Sequence, residues 1–509
     1  MSIVKDRLKI IHFVLFLSFI NFLFFHYPFF SFVFKNVDYK SINGVILTGS
    51  LIVAALVANA FAFYLFCSLF RVVGKVLLSI LFIINSVAVY FVNTYSIILD
   101  ESMIGNVLNT KYEEAASFFS VKLLVYLIFL GIIPSLYITK IKIIYSAWKK
   151  FLVNTSLMLV FLLALIFANA SNWLWVDKNA KELIGLAMPW SYVVNTMRFY
   201  IHEHDKNKKE ILLPDATIKD SQKSIVVLVI GESARSQNFS LYGYKRNTNP
   251  FLSKIHNVFH FNATSAATYT TAGVKSILAH SGSDELYEIL PNYLYRNNVE
   301  VIWRTTNWGE PPVHIKDYQD RNVLMSKCKG EGCGYDEILL YGLREQIEAS
   351  RNNKILVVLH TSTSHGPTYS KKYPRQFETF KPVCNSVELG ECSHDELINA
   401  YDNTIVYTDY VLSRVIEELK RFKDYNSTMI FVSDHGESLG EKNLYMHGLP
   451  LSIAPKEQYE IPFIVWLPDG SRQLKPNKML SQNHVFHSVL SFLNIQSPIY
   501  DEKMNIFSR

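Results

Sequence analysis

The chain has 509 residues, room for two or three domains at roughly 150 residues each. Half of its residues are hydrophobic, only 18% are charged and the mean hydropathy is +0.14. This composition excludes a disordered chain and argues against a purely cytosolic one. The net charge of +6 sits in the first third: residues 1–176 hold 13 Lys+Arg against 6 Asp+Glu, and the remainder 37 against 38. The polar two-thirds therefore lacks the basic footprint of a nucleic-acid binder.

Five apolar runs open the chain, near Ile10–Phe34, Val45–Phe70, Val76–Leu99, Leu123–Ile138 and Phe151–Trp175. A spanning helix needs about 20 apolar residues, so four fit easily and the fourth run is short. The first run is too long for a signal-peptide core and has no small-residue cleavage site, so it reads as a retained helix. Lys5, Arg7 and Lys9 precede it, Arg71 and Lys75 follow the second run, and Lys140, Lys142, Lys149 and Lys150 follow the fourth. With five spans these segments share one side, which the positive-inside rule makes cytoplasmic. The N-terminus is then inside, and the loop near 100–117 and the C-terminal two-thirds are outside. Trp173 and Trp175 close the fifth run like an interfacial belt.

Residues 177–217 read as a connector whose apolar patch, Leu183–Val194, suits the bilayer surface. His202 and His204 within it read as solvated linker rather than metal ligands. Cys67 lies alone in the second run as a packed thiol. Cys328/Cys333 and Cys384/Cys392 form two close pairs, which read as disulfides in an oxidising compartment. A four-Cys zinc site is the rival, but neither pair has C-x2-C spacing.

From Ser224 onward, short β-branched runs alternate with helical stretches. The strands are read at Ile225–Ile230, Val299–Trp303, Ile355–Leu359, Met429–Val432 and Phe463–Leu467, with helices at Glu337–Ala349 and Ile398–Arg421. This pattern predicts an α/β domain with a mainly parallel sheet flanked by helices. Ligands of such sheets bind outside the carboxyl ends of the strands. There the chain places Gly231-Glu232-Ser233-Ala234-Arg235, His360 with Ser364-His365-Gly366-Pro367, and Ser433-Asp434-His435-Gly436-Glu437; His447 follows. Asp, Glu and His at several strand ends suit zinc or another borderline divalent ion. The hydroxyl-rich segment Thr264–Ser276 opens a helix whose N-terminus would favour an anion. A metal-activated hydroxyl there is a phosphoryl-transfer nucleophile. Residue chemistry alone leaves Thr268, Thr270 and Thr271 open.

Taken together, the five spans, GESAR, TSxxTxT, SHGPTY, SDHGE and the later MHG resemble the phosphoethanolamine transferases of Gram-negative inner membranes. That family belongs to the alkaline phosphatase and sulfatase superfamily, and the resemblance runs from the spans to about Phe486. It implies a zinc ion held by Glu232, Thr270, Asp434 and His435, with Thr270, the last Thr of TSxxTxT, as the nucleophile. His365 and His447 would assist proton transfer, contact substrate, or bind a second zinc. Asn106, Thr110 and Glu114, spaced i, i+4, i+8, would share one helix face and hold the ethanolamine end of the lipid. Two departures stand out. Ala266 and Ser276 replace a cysteine pair that members often carry across the nucleophile segment. The loop Thr305–Pro312 has no Lys where some members place one.

The expected domains are a five-helix transmembrane domain at 1–176, a connector at 177–217 and a periplasmic catalytic domain at 218–509. The expected reaction is transfer of phosphoethanolamine from phosphatidylethanolamine to lipid A, through a covalent threonine intermediate, by a monomer in the bilayer. Core oligosaccharide, periplasmic glucan or a surface protein are other acceptors. A lipoteichoic-acid-type glycerophosphate transferase and an inactive membrane scaffold are the rival classes.

Overall fold

A computed structural model describes residues 7–508 except 38, 111, 170–171, 173–174, 177–178, 207–209, 284, 387–388, 471 and 477–478. The chain divides into two compact units, one of residues 1–110 and 119–202, the other of 111–118 and 203–509.

In the first unit, helices Ile10–Phe25 and Tyr27–Asn36 meet at a 65° bend. Pro28 sits in the opening turn of the second, where its missing N–H costs no helical bond. Helix Ile42–Tyr95 is 54 residues long. A straight helix of that length would run about 80 Å, far beyond a hydrocarbon core of about 30 Å. It is broken at Arg71 (φ 32°, ψ −91°), and a Cβ on Gly74 would lie 2.4 Å from the Phe66 carbonyl oxygen. Residues eight apart in a straight helix are about 12 Å apart, so the chain folds back at Arg71. Among the described residues three helices, Ile42–Tyr95, Val121–Lys140 and Trp148–Ala168, are long and apolar enough to cross a membrane, and the bent pair makes a fourth if counted as one span. Helix Trp148–Ala168 buries only Phe151 while Leu157, Val160 and Phe167 stand exposed, a surface that suits lipid.

The apolar patch of the connector is packed in part against the helices of its own unit. Its residues fall in helices Ala180–Leu186 and Trp190–Lys206, with Leu183, Leu186, Met188 and Ser191 buried. The Trp190 indole donates to Asn59 (2.9 Å), the Tyr192 hydroxyl to Asn85 (2.8 Å), and Asn85 to Asn21 (2.8 Å), which donates to the Met188 carbonyl (3.1 Å). Polar side chains inside an apolar bundle have no water to bond, so they bond one another and draw this segment in. Trp175 donates to the Asn36 carbonyl (3.1 Å), whereas Trp173 and the side chains of His202 and His204 lie outside the described residues.

The second unit is built on an eight-stranded mixed sheet. Its strands are β1 (Ser224–Gly231), β2 (Val258–Thr264), β3 (Glu300–Thr305), β4 (Asp317–Gln319), β5 (Lys354–His360), β6 (Asn426–Ser433), β7 (Glu460–Trp466) and β8 (Leu480–Ser481). They lie in the order β8-β2-β7-β6-β1-β5-β3-β4. Pairing is parallel except around β7, which runs antiparallel to both β2 and β6. The central strand β1, SIVVLVIG, is buried along its whole length, as expected of a strand covered on both faces. The expected helix Glu337–Ala349 is instead two pieces, a 3-10 turn at Asp336–Leu340 and a helix at Leu343–Glu348. Gly342 divides them at φ +64°. The long helix His394–Leu419 starts four residues earlier than its apolar pattern. Ser393 and Glu396 form a reciprocal capping box that satisfies its first N–H groups.

Cysteines bond as Cys328–Cys333 and Cys384–Cys392, which excludes the four-Cys zinc site; Cys67 is free and buried. Both loops are short, so each bridge should contribute roughly 2–3 kcal/mol through the unfolded state. Replacing either pair by serine should lower the thermal midpoint while leaving transfer measurable at low temperature. Peptide mapping of the oxidised protein should return these two links and no crossed pairing.

Candidate active site

Register builds the site. Gly231 of β1 pairs with Ser433 of β6, so the next residues of two adjacent parallel strands are Glu232 and Asp434. Strands lie about 4.8 Å apart, so two carboxylates are forced side by side at the carboxyl edge. Both are buried, as is His435. Asp434 Oδ1 accepts from the Ser233 N–H (3.0 Å) and the His435 N–H (2.7 Å). Its Oδ2 is buried with no hydrogen-bond partner among the described residues and lies 3.4 Å from His435 Nε2. His435 Nδ1 donates to the Gly436 carbonyl (2.8 Å), which turns the lone pair of Nε2 toward the carboxylates. Glu232 Oε1 is 3.4 Å from that Nε2.

Thr270 is the first residue of helix Thr270–Leu278, whose N-terminal dipole points at the same spot. Its hydroxyl lies 3.3 Å from Glu232 Oε2 and 3.3 Å from His435 Nε2. This approach depends on Gly273: a Cβ there would sit 2.2 Å from the Asp434 carbonyl oxygen, so only glycine lets the helix reach the strand end. The structure also separates the three hydroxyls. Thr268 donates to the Leu449 carbonyl (2.5 Å) and so pins the loop after His447. Among Thr268, Thr270 and Thr271, Thr270 is the one that contacts Glu232 and His435.

His447 Nδ1 lies 3.3 Å from Glu437 Oε1, its ring centroid 4.1 Å from that of His435 and 5.8 Å from that of His365. Glu232, His435 and His447 each offer a ligand atom within 4.8 Å of the others. Glu232, Thr270, Asp434, His435, His365 and His447 therefore gather at one place.

The electrostatics of the site suit a cation. Burial pushes the Asp434 carboxyl well above the usual range, and the Glu232 carboxylate beside it pushes further. Burial acts on Glu232 in the same direction, but the imidazoles of His435, His365 and His447 outweigh it and hold this carboxyl below the usual range. Burial, reinforced by His447, lowers His435 to about 3, so its imidazole is neutral at pH 7. Two buried carboxyl groups, one of them with the orphaned Oδ2 of Asp434, and a neutral imidazole aimed by its own carbonyl bond form a donor set that fits zinc.

The sequence reading missed the residues that brace this set. Asn307 donates to Glu232 Oε2 (2.7 Å) and to the Thr361 carbonyl (2.9 Å). Ser233 donates to Glu232 Oε1 (2.6 Å). Tyr401, from the long helix, accepts from the Arg235 N–H (3.0 Å) and donates to the Ser233 carbonyl (2.7 Å). Arg235 reaches across to the Glu437 carbonyl (3.1 Å) and to Glu441 (2.7 Å), tying GESAR to SDHGE. Arg235 and Glu437 belong to motifs visible in the sequence; nothing in the sequence marks Asn307 or Tyr401.

The helix expected to align Asn106, Thr110 and Glu114 is not continuous. Helix Glu101–Asn109 ends at Thr110, which is extended (ψ 126°) and donates its hydroxyl back to the Asn106 carbonyl (2.7 Å). Glu114 falls in a separate helix, Tyr112–Ser117, and its side chain lies outside the described ones. A Thr hydroxyl that back-bonds at i−4 competes with the helical ladder, and here it closes the helix.

Comparison with known proteins gives the class first: residues 224–495 match the Sulfatase family model, which spans the sheet and all of these ligand candidates. Residues 53–204 match the model described as phosphoethanolamine transferase EptA/EptB. Phosphoethanolamine transferase EptA of Helicobacter pylori is 44% identical over 434 residues, covering 82% of this chain and 81% of that one. The EptA of Escherichia coli K12 is 31% identical over 473 residues, covering 85% of each. The integral membrane lipooligosaccharide phosphoethanolamine transferase A of Neisseria meningitidis superposes with a TM-score of 0.87 at 27% identity, covering 97% of both chains. The chain belongs to the phosphoethanolamine transferase family.

Proposed function

We propose that this protein transfers phosphoethanolamine from phosphatidylethanolamine to lipid A, with Thr270 as the nucleophile. The observation that carries the proposal is the Thr270 hydroxyl at a helix N-terminus, 3.3 Å from both Glu232 and His435. Thr270 Oγ1 attacks the donor phosphorus in line. The Oγ1–P bond forms, the P–O bond to diacylglycerol breaks, and the Thr270 proton passes to a neighbouring basic group. The leaving alkoxide takes a proton in the cleft, where His365 and His447 are the candidate donors. In the second half an acceptor oxygen bonds to the same phosphorus, the Oγ1–P bond breaks and Thr270 Oγ1 takes back a proton from the group that accepted it, which is ping-pong chemistry.

Glu232, Asp434 and His435 would hold a zinc ion against Thr270, with His447 within reach for this ion or a second. When bound, zinc supplies a Lewis acid that eases ionisation of the threonine hydroxyl and charge on the phosphoryl oxygens. The helix N-terminus at Thr270 and the Asn307 amide remain as fixed dipoles beside the reacting group.

Lipid A is the favoured acceptor because the meningococcal relative acts on lipooligosaccharide by its name. Mass spectrometry of envelope lipids with and without the gene should show one added phosphoethanolamine on lipid A. An unchanged lipid A beside modified core, glucan or protein would move the proposal to that acceptor. Asn106, Thr110 and Glu114 are proposed to contact the donor headgroup. Asn106→Ala and Glu114→Ala should then impair lipid-dependent transfer with zinc content unchanged.

The same reading places 1–176 in the inner membrane as five spans. The bent pair counts as one, the helix folded back at Arg71 as two, and Val121–Lys140 and Trp148–Ala168 as the last two. The connector is 177–217 and the catalytic domain, 218–509, lies in the periplasm, in a chain that acts as a monomer. Reporter fusions after Arg509 and within 100–117 should report periplasm, and fusions at the N-terminus and near Lys149 cytoplasm. A cytoplasmic C-terminus would overturn this topology.

A further inference from the structure

The loop without the family's Lys carries a group that the reaction has not used. It leaves β3 at Thr305 and passes over the nucleophile. Gly309 has φ +98°, and a Cβ there would lie 3.1 Å from Thr270 Cγ2. The next residue, Glu310, turns inward. Its side chain is 11% exposed, and its Oε2 is buried, makes no hydrogen bond among the described residues and lies 3.5 Å from His360 Nδ1, which the Thr305 hydroxyl also approaches at 3.4 Å. Its Oε1 accepts from the Tyr318 hydroxyl of β4. His360, the last residue of β5, is fully buried, with the Trp303 ring edge-on at 6.2 Å. Its Nε2 lies 3.3 Å from the Asn307 amide nitrogen, and that nitrogen donates to Glu232 Oε2 at 2.7 Å.

We propose that Glu310 is a positioning residue for Glu232, acting through His360 and Asn307. The chain of contacts has a direction. A carboxylate facing Nδ1 fixes the proton of a neutral imidazole on Nδ1 and leaves the lone pair on Nε2. The two Asn307 N–H bonds go to Glu232 Oε2 and to the Thr361 carbonyl (2.9 Å), so the amide nitrogen sits 3.3 Å from Nε2 without strain where Nε2 carries a lone pair, whereas an Nε2–H would repel it. The amide therefore keeps its nitrogen toward Glu232 and holds the Oε2 that faces Thr270. Such outer partners of a metal-side carboxylate typically tune metal affinity 10–100-fold.

This inference rests on the zinc reading of the site, and the test separates the two. Full-length wild type, Glu310→Gln, Asn307→Ala and the double variant are titrated with zinc in detergent against a chelator of known affinity. Metal-free thermal midpoints are measured in parallel. Glu310→Gln should weaken zinc binding on the order of 10-fold. The double variant should bind no more weakly than Asn307→Ala alone, because the effect of Glu310 passes through that amide. Additive losses, or a lowered melting temperature with zinc affinity unchanged, would reduce Glu310 to a structural ion pair and overturn the proposal. A wild-type protein that holds no zinc would overturn the metal reading itself.

Discussion

Thr270→Ala is expected to remove turnover while leaving the protein folded. Among the described residues the hydroxyl makes two long contacts, at 3.3 Å each, so its loss should cost under about 1 kcal/mol of stability. Losing the nucleophile of a covalent mechanism costs far more, on the order of 10⁴-fold or greater in rate. Thr270→Ser keeps the oxygen and should retain part of the activity, while Thr268→Ala and Thr271→Ala should leave the phosphoryl linkage intact. Thr268 makes its own short bond to the loop after His447, so its variant tests loop placement rather than chemistry. Circular dichroism and zinc content alongside the transfer assay separate these cases. Normal turnover by Thr270→Ala would end the covalent-threonine account at this position.

The second large effect is at Asp434. Its Oδ1 accepts two backbone N–H groups and its Oδ2 faces His435, so Asp434→Asn keeps shape and two hydrogen bonds while replacing the orphan oxygen. Zinc affinity should fall by about 100-fold or more and activity with it. The metal-free protein should respond in the opposite sense. Burial, then the Glu232 carboxylate, raises the Asp434 carboxyl above its unfolded value, so the folded state binds the extra proton. Stability then falls as pH rises beyond the ordinary carboxylate range near about 4. Asp434→Asn removes that proton uptake. The metal-free wild type should lose more thermal stability than the variant between pH 5 and pH 8, and added zinc should reverse the order at pH 8. Parallel pH profiles of the two metal-free proteins would show that these carboxylates do not compete for a proton.

Much of the site was legible because its chemistry is written at strand ends. Continuous apolar runs such as Ile225–Ile230 and Met429–Val432 located β1 and β6, and the polar residues that follow them were necessarily at the carboxyl edge. Strand β2, Val258–Thr264, went unread because it is half-exposed and alternates apolar with polar residues. The reversed direction of β7 was invisible, since an apolar run carries no direction. Hydropathy separated the runs at 45–70 and 76–99 where the helix folds back, because Arg71 and Lys75 interrupt the apolar sequence at that reversal. Spacing alone misjudged Asn106–Glu114: i, i+4, i+8 describes one face only if the helix continues, and Thr110 ends it. Asn307 and Tyr401 were illegible for a different reason. Each acts through one bond to a residue distant in sequence, and nothing local marks them.

The central claim is that the phosphoryl group rests on Thr270 between donor and acceptor. Wild-type enzyme incubated with phosphatidylethanolamine and no acceptor should gain the mass of one phosphoethanolamine in intact-protein mass spectrometry, mapped by fragmentation to Thr270 and discharged by lipid A. A protein that gains no mass while still transferring to added lipid A, or that carries the group on another residue, would contradict the account.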